Sequence, residues 1–185
     1  MIELGGGYGE ISGFFAALGA NVTCVDGRVQ NLNVARIRFR AFDNITFVQR
    51  NLEYDFSDLG RFDLAIHFGL LYHIRNLEQN LASTAVLSDE IVLETEVIDS
   101  LDPNAKVLVE QTKAHRDRSL EGYGSRASPN LIKRFFESRG FAVEIITDPS
   151  LNTAQHNYSW NHKNDGSHRD GMRRFFRISK QKPAP

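Results

Sequence analysis

The residues best placed to do chemistry sit at the start of the chain, in "MIELGGGYGE". Gly5, Gly7 and Gly9, with Gly6 between them, form a G-x-G-x-G pattern behind the acid Glu3. Glycine lets a ligand approach the main chain closely, and a helix opening near Gly9 or Glu10 offers free N–H groups to an anionic group. A dinucleotide fingerprint requires G-x-G-x-x-G. Counted from Gly5 its last position is Glu10, and counted from Gly7 it is Ser12, so the match fails in both registers. A Walker A loop is absent. Asp26 lies 21 residues beyond Gly5, at the end of the β-rich run "NVTCVD". An acid in that place can accept two hydrogen bonds from a ribose diol. Together the two features indicate a nucleoside ligand and argue against a dinucleotide.

Further candidates are more open. His73, in "LLYHIRN", either takes a proton from an oxygen or nitrogen nucleophile or caps and packs the following helix. Tyr72 beside it packs in the core or against the ligand, or touches substrate. His67 lies inside an apolar run and reads as a satisfied buried histidine or a ligand neighbour. His115, Tyr123 and Arg126 fall in a polar stretch of residues 99–127. Such loops carry specificity, so these three either contact substrate or sit in a solvated loop. Glu94 and Glu96 share one face of a strand and either line the ligand cleft or mark the strand's end in solvent. His156, His162 and His168 are spaced by six residues, which matches no metal motif, and no metal is expected. Cys24 reads as a small buried hydrophobe rather than a nucleophile.

The elements that must hold these residues alternate. "MIEL", "NVTCVD", "ITFVQR", "RFDLAIHFG" and "EIVLETEVI" read as strands. "ISGFFAALG", "RVQNLNVARIRFRAF" and "NLEQNLASTAVL" read as the helices between them. Val29, Leu32, Val34, Ile37 and Phe39 supply the apolar positions of the second helix, and Leu77, Leu81 and Val86 those of the third. "SPNLIKRFFESRG" carries Ser128 as N-cap, Pro129 at the first helical position and Gly140 as its stop. "FAVEIIT" and "RRFFRIS" are two last strands with no helix between them, so the final one inserts antiparallel. Strands alternating with helices imply a mainly parallel α/β sheet covered on both faces, which binds ligands beyond the carboxyl ends of its strands.

The totals agree. A chain of 185 residues, 41% hydrophobic and 24% charged, suits one ordered domain spanning 1–185. A net charge of −1 argues against a globally basic nucleic-acid binder. Residues 156–185 nevertheless hold seven Lys or Arg against two Asp, with aromatics interleaved. That pattern fits either a nucleic-acid contact or a solvated strand face. A single cysteine excludes an internal disulfide and fits a reducing, cytoplasmic compartment. No signal peptide and no apolar run of membrane length are expected.

On these residues the chain resembles the class I S-adenosylmethionine-dependent methyltransferases. "ELGGGYGE" is similar to their first motif, "VTCVDGR" to the second, and "FVQRNLEYDF" to the third. "FDLAIHFGLLYHIRN" resembles a segment of a subgroup that includes the tRNA wobble-uridine carboxymethyl-transfer enzymes, and "YSWNHK…GMRRFFRISK" resembles its closing hairpin. The resemblance covers about residues 2–180. It implies a Rossmann-like seven-stranded sheet, order 3-2-1-4-5-7-6 with strand seven antiparallel, and S-adenosyl-L-methionine as cofactor. It places Glu3, Gly5, Gly6, Gly7, Gly9, Asp26, Gly27, Arg28, Asn51, Leu52, Phe68 and Gly69 at the cofactor. Asn51 would meet the adenine amino group and Leu52 the ring. The implied activity is methyl transfer to an oxygen or nitrogen of a small-molecule acceptor. The alternatives are an RNA-directed enzyme, or a non-catalytic cofactor-binding subunit. The helices that usually precede the first motif are missing here, so a second copy or a partner chain is expected to cover the cofactor. No membrane contact is expected.

Overall fold

A computed structural model of the chain describes residues 1–113, 115, 118–169 and 171–181. In chain order its strands are β1 (Ile2–Leu4), β2 (Val22–Asp26), β3 (Ile45–Gln49), β4 (Ala65–Phe68), β5 (Glu90–Glu96), β6 (Lys106–Glu110), β7 (Tyr123–Ala127), β8 (Phe141–Ile146) and β9 (Arg173–Lys180). Its α-helices are α1 (Glu10–Ala17), α2 (Val29–Arg38), α3 (Leu77–Leu87) and α4 (Pro129–Glu137). Seven strands form one sheet in the order β3-β2-β1-β4-β5-β9-β8. The first five run parallel, and β9 is antiparallel to both β5 and β8. This is the expected order, with the last strand inserted between its two neighbours.

Apolar side chains on the two sides of β2 enter different clusters. Val22 and Cys24 pack with Ala16 of α1 and Leu32 of α2. Val25 joins the larger cluster with Ile2, Leu4, Leu77, Leu81, Ile132 and Phe136. The alternation along β2 is the strand period, and it is why the sheet carries helices on both faces. In α4, Ser128 Oγ accepts the Leu131 N–H at 3.0 Å, a cap worth about 1 kcal/mol.

Two helices turn faces other than those expected. In α2 the buried residues are Asn31, Leu32 and Ala35, while Ile37 is 66% exposed. In α3, Val86 points outward, and Asn80, Ser83 and Thr84 are buried beside Leu77 and Leu81. These polar groups are tolerated because they are paired. Asn80, for example, donates to the Leu52 carbonyl at 3.0 Å.

The stretch 99–127 is not a plain loop. It contains the antiparallel hairpin β6–β7, outside the main sheet. The hairpin rests on the short turn Leu71–His73 after β4, where Ser125 N donates to the Ile74 carbonyl at 2.8 Å. The stretch 150–171 is also anchored. Buried Asp99 accepts from His162 Nδ1 (2.9 Å), Lys163 N (2.8 Å) and Asn164 N (3.1 Å). Burial alone would raise the Asp99 carboxyl, but these donors hold it below its ordinary value. No helix among the described residues is long and apolar enough to cross a membrane.

Candidate active site

A cleft of about 600 Å³ opens beyond the carboxyl ends of β1, β2 and β4. Its floor is the glycine loop between β1 and α1. Gly5 N and Gly6 N both donate to the Val25 carbonyl, at 2.8 and 2.9 Å. Gly7 N donates to Asp26 Oδ2 at 2.9 Å, and Arg28 N to Asp26 Oδ1 at 2.8 Å. Asp26 therefore locks the loop to the end of β2. A carboxylate offers about four acceptor sites, so Asp26 keeps capacity for a ligand hydroxyl. Gly6 is sterically required, because a Cβ there would collide with Cys24 Sγ.

Glu3 stands behind this floor rather than in the cleft. It is 4% exposed and accepts the Ser12 hydroxyl. Burial pushes its carboxyl up to about 7; the Ser12 hydrogen bond works against that, and the charges of Glu10 and Asp26 add to it. Cys24 lies below the loop, with its thiol pushed up to about 12 by burial. That removes it as a nucleophile at neutral pH.

The cleft wall comes from the loops after β3 and β4. Asn51, Leu52, Glu53, Gly69, Leu70, Tyr72, His73 and Ile74 line it. Glu53, 5% exposed, accepts from Arg75 N (2.6 Å) and Asn76 N (3.0 Å), which ties the two loops together. Gly69 N donates to the Glu94 carboxylate at 3.1 Å. Phe68 is not part of the lining, and its ring packs on Phe175 at 5.1 Å between centroids. His73 stacks on Tyr72 at 4.1 Å. Burial holds its imidazole below the usual histidine range, and Arg126 and Arg118 act in the same direction against the opposing Gln111 hydrogen bond and Glu96 charge. A histidine shifted in that direction is mostly unprotonated at pH 7.

The chain supplies a roof of its own. Arg118, Ser119 and Leu120, in the connection between β6 and β7, line the cleft from above. Arg28 Nη2 donates to the carbonyls of Arg118 (3.1 Å) and Ser119 (3.3 Å). Asn51 Nδ2 donates to Glu121 Oε1 at 3.1 Å. The Leu120 side chain packs directly over Gly27, where a Cβ would make it shift.

Beneath the roof lies a buried ion cluster. Arg173 Nη1 bridges both Glu94 oxygens at 2.9 and 3.0 Å, and its Nη2 donates to Tyr72 Oη at 3.0 Å. Arg126 Nε pairs with Glu96 Oε2 at 2.8 Å. Burial would lower Arg173, but the neighbouring Glu94 carboxylate and the Tyr72 phenol hold it above its ordinary value. Glu94 and Glu96 thus neither line the cleft nor end in solvent. Arg126 is 4% exposed and belongs to this cluster, which corrects its reading as a residue of a solvated loop. His115 is exposed, and Tyr123 lies under the Arg75 guanidinium at 5.5 Å; neither lines the cleft. His67 is fully buried against Asn80 Oδ1 at 2.8 Å. Among the described residues no three His, Cys, Asp or Glu side chains gather as a metal site.

Sequence reasoning missed Gln111 and Glu53, and it missed the pairing of Arg173 with Glu94. Only Glu53 had a readable signal, as an acid two residues after Asn51 in the third motif.

Residues 2–87 match the methyltransferase domain family. That stretch contains the floor, Asp26, Asn51 and His73, and stops short of the roof. No curated protein matches the chain. The N-terminal domain of EvdMO1, a structure with SAH bound, is 22% identical, with 98% of this chain and 74% of that one covered and a TM-score of 0.75. The DhpI–SAH complex is 14% identical over 98% of this chain and 76% of that one, with a TM-score of 0.59. The glycopeptide N-methyltransferase MtfA, complexed with S-adenosylmethionine, is 18% identical over 97% and 86%, with a TM-score of 0.59. Over residues 2–87 the chain matches the methyltransferase domain model, and over nearly its whole length it shares the fold of these structures.

Proposed function

We propose that this chain uses S-adenosylmethionine to methylate an oxygen or nitrogen of a small-molecule acceptor, with residues 1–185 acting as one catalytic domain. The observation that carries this reading is a cleft with an Asp26-locked glycine floor and His73 in its wall. The residues fit the cofactor. A Cβ at Gly7 would meet open space over the cleft, so the main chain there is bare enough for close approach. Asp26 would hold the ribose diol. Asn51 and Leu52 would flank the adenine.

When bound, the sulfonium supplies an electrophilic methyl group without help from the protein. The chain's residues then have two tasks. The wall and roof exclude water and align the nucleophile. His73 would take the proton that a hydroxyl or amine gives up on gaining the methyl group. A neutral imidazole at pH 7 can accept it.

Two arginines of the basic C-terminal segment are withdrawn from any RNA contact. Arg173 and Arg174 are 7% and 2% exposed. Arg173 is spent on Glu94, and Arg174 lies over the Trp160 ring at 3.6 Å. The roof formed by residues 118–120 weakens the case for a partner chain as the missing cover. A single cysteine buried as a thiol is in keeping with a reducing, cytoplasmic setting.

Calorimetric titration with S-adenosylhomocysteine tests the reading. Wild-type chain should bind it. Asp26→Ala removes the acceptor of two loop N–H groups and of the ribose, and should weaken binding about 100-fold or more, since hydrogen bonds to a charged group are worth about 1.5–3 kcal/mol each. A wild-type chain with no affinity for either form of the cofactor would overturn it.

A further inference from the structure

We propose that Gln111, at the start of the roof connection, is a positioning residue that fixes His73 as its Nδ1–H tautomer and leaves Nε2 as the basic atom of the site. This rests on the reading of His73 as the proton acceptor.

The assignment follows from hydrogen bonds that allow one solution. Ser119 N donates to Gln111 Oε1 at 3.0 Å, so the atom at that position must be oxygen. Gln111 Nε2 lies 2.9 Å from the Tyr72 carbonyl, an acceptor, so that atom must be nitrogen. The amide of Gln111 cannot be flipped without breaking both. Its oxygen then faces His73 Nδ1 at 2.7 Å. A carbonyl oxygen only accepts, so Nδ1 carries the proton. In a neutral ring the other nitrogen is then an acceptor. His73 itself lines the cleft, whereas Gln111 does not.

The contact also depends on the roof being seated. Gln111 N donates to the Gly122 carbonyl at 2.8 Å. A Cβ at Gly124 would collide with the Tyr72 carbonyl and the Gln111 amide, so the hairpin approaches the Tyr72–His73 turn only because residue 124 is glycine. The base is therefore oriented by the same loop that covers the cleft. The other charged or titratable groups facing His73 are Arg126 on β7, Glu96 on β5 and Arg118 in the roof connection, with the Tyr72 ring stacked on it.

Nitrogen-15 NMR of the histidine rings in the full-length chain tests the proposal at pH 7.5, without need of an acceptor. Wild type should show His73 with Nδ1 protonated and Nε2 bare. Gln111→Leu removes the acceptor, and the Nε2–H form should become the major one. Gln111→Glu places a carboxylate against Nδ1 and should raise the His73 titration midpoint by about one unit or more. A wild-type ring protonated on Nε2 overturns the proposal, as does a Leu variant with an unchanged tautomer. If the Leu variant does not fold, an unshifted midpoint in the Glu variant decides against it. Titration of wild-type chain with S-adenosylhomocysteine is run alongside. Absence of binding would remove the functional reading, while the tautomer result would still stand or fall by itself.

Discussion

The floor of the cleft is drawn from residues 5–28 and made largely of main-chain groups, with N–H donors from Gly5, Gly6, Gly7 and Arg28 meeting Val25 and Asp26. The roof is drawn from residues 118–121 and held by side chains far away in sequence. Arg28 reaches across 90 positions to the Arg118 carbonyl, and Asn51 across 70 to Glu121. Backbone donors near in sequence leave a spacing pattern behind them. Side chains that cap distant carbonyls leave none. Under the proposed function the floor would bind the ligand and the roof would cover it.

The largest expected effect lies in the buried ion cluster behind the Tyr72 wall. Arg173 is the cation that Glu94 and Tyr72 share. Arg173→Ala leaves the Glu94 carboxylate, 5% exposed, without its partner. Breaking a buried pair on one side costs about 3–5 kcal/mol. Urea denaturation should show a loss of that size, and Glu94→Gln in the same chain should return part of it. Loss of less than about 1 kcal/mol would mean that the pair is solvated and carries nothing.

The contrast between floor and roof is also the contrast between what could and could not be read from the sequence. β1 to β5, α4 with its Ser128 cap, and the antiparallel last strand follow from local pattern. The G-x-G-x-G spacing and Asp26 act through neighbours in adjacent strands, so their meeting is legible. "KVLVE" carries a strand pattern that passed as loop because the residues around it are polar. Its partner "YGSRA" has little β propensity, and Gly124 is there for a contact with Tyr72, 52 positions earlier. The pairing of Arg173 in "RRFFRIS" was not legible, because charge on one strand says nothing about carboxylates on the next. Gln111 has no signal at all, since its meaning lies in what His73 and Ser119 present to it.

Glu3 offers a test of intermediate size on the floor side. Its carboxyl is raised to about 7 from an ordinary 4.5, so the folded chain holds the proton more tightly than the unfolded one. The stability this gives is fully present below about 4.5 and is lost as pH rises through about 7. Glu3→Gln cannot titrate, and its amide oxygen can still accept the Ser12 hydroxyl. The variant should gain on wild type between pH 4.5 and 8 by about 3 kcal/mol, read from denaturation midpoints at the two pH values. An identical difference at both would show that Glu3 titrates normally and that the floor is wetter than its burial implies.

The smallest expected effect belongs to a roof latch. Glu121 meets Asn51 through one hydrogen bond at the partly exposed edge of the cleft. Contacts of that kind contribute about 0.2–1 kcal/mol, so Glu121→Ala should weaken S-adenosylhomocysteine binding about threefold, with no change in fold stability. The direction in kinetics is the sharper readout. A cover that must open for release acts on the dissociation rate, and affinity differences among variants of one site lie mostly there. Stopped-flow displacement should therefore show faster dissociation with association unchanged. If association slows instead, Glu121 guides the ligand in rather than holding the roof down. The comparison would then have to be redrawn with residue 121 on the binding side.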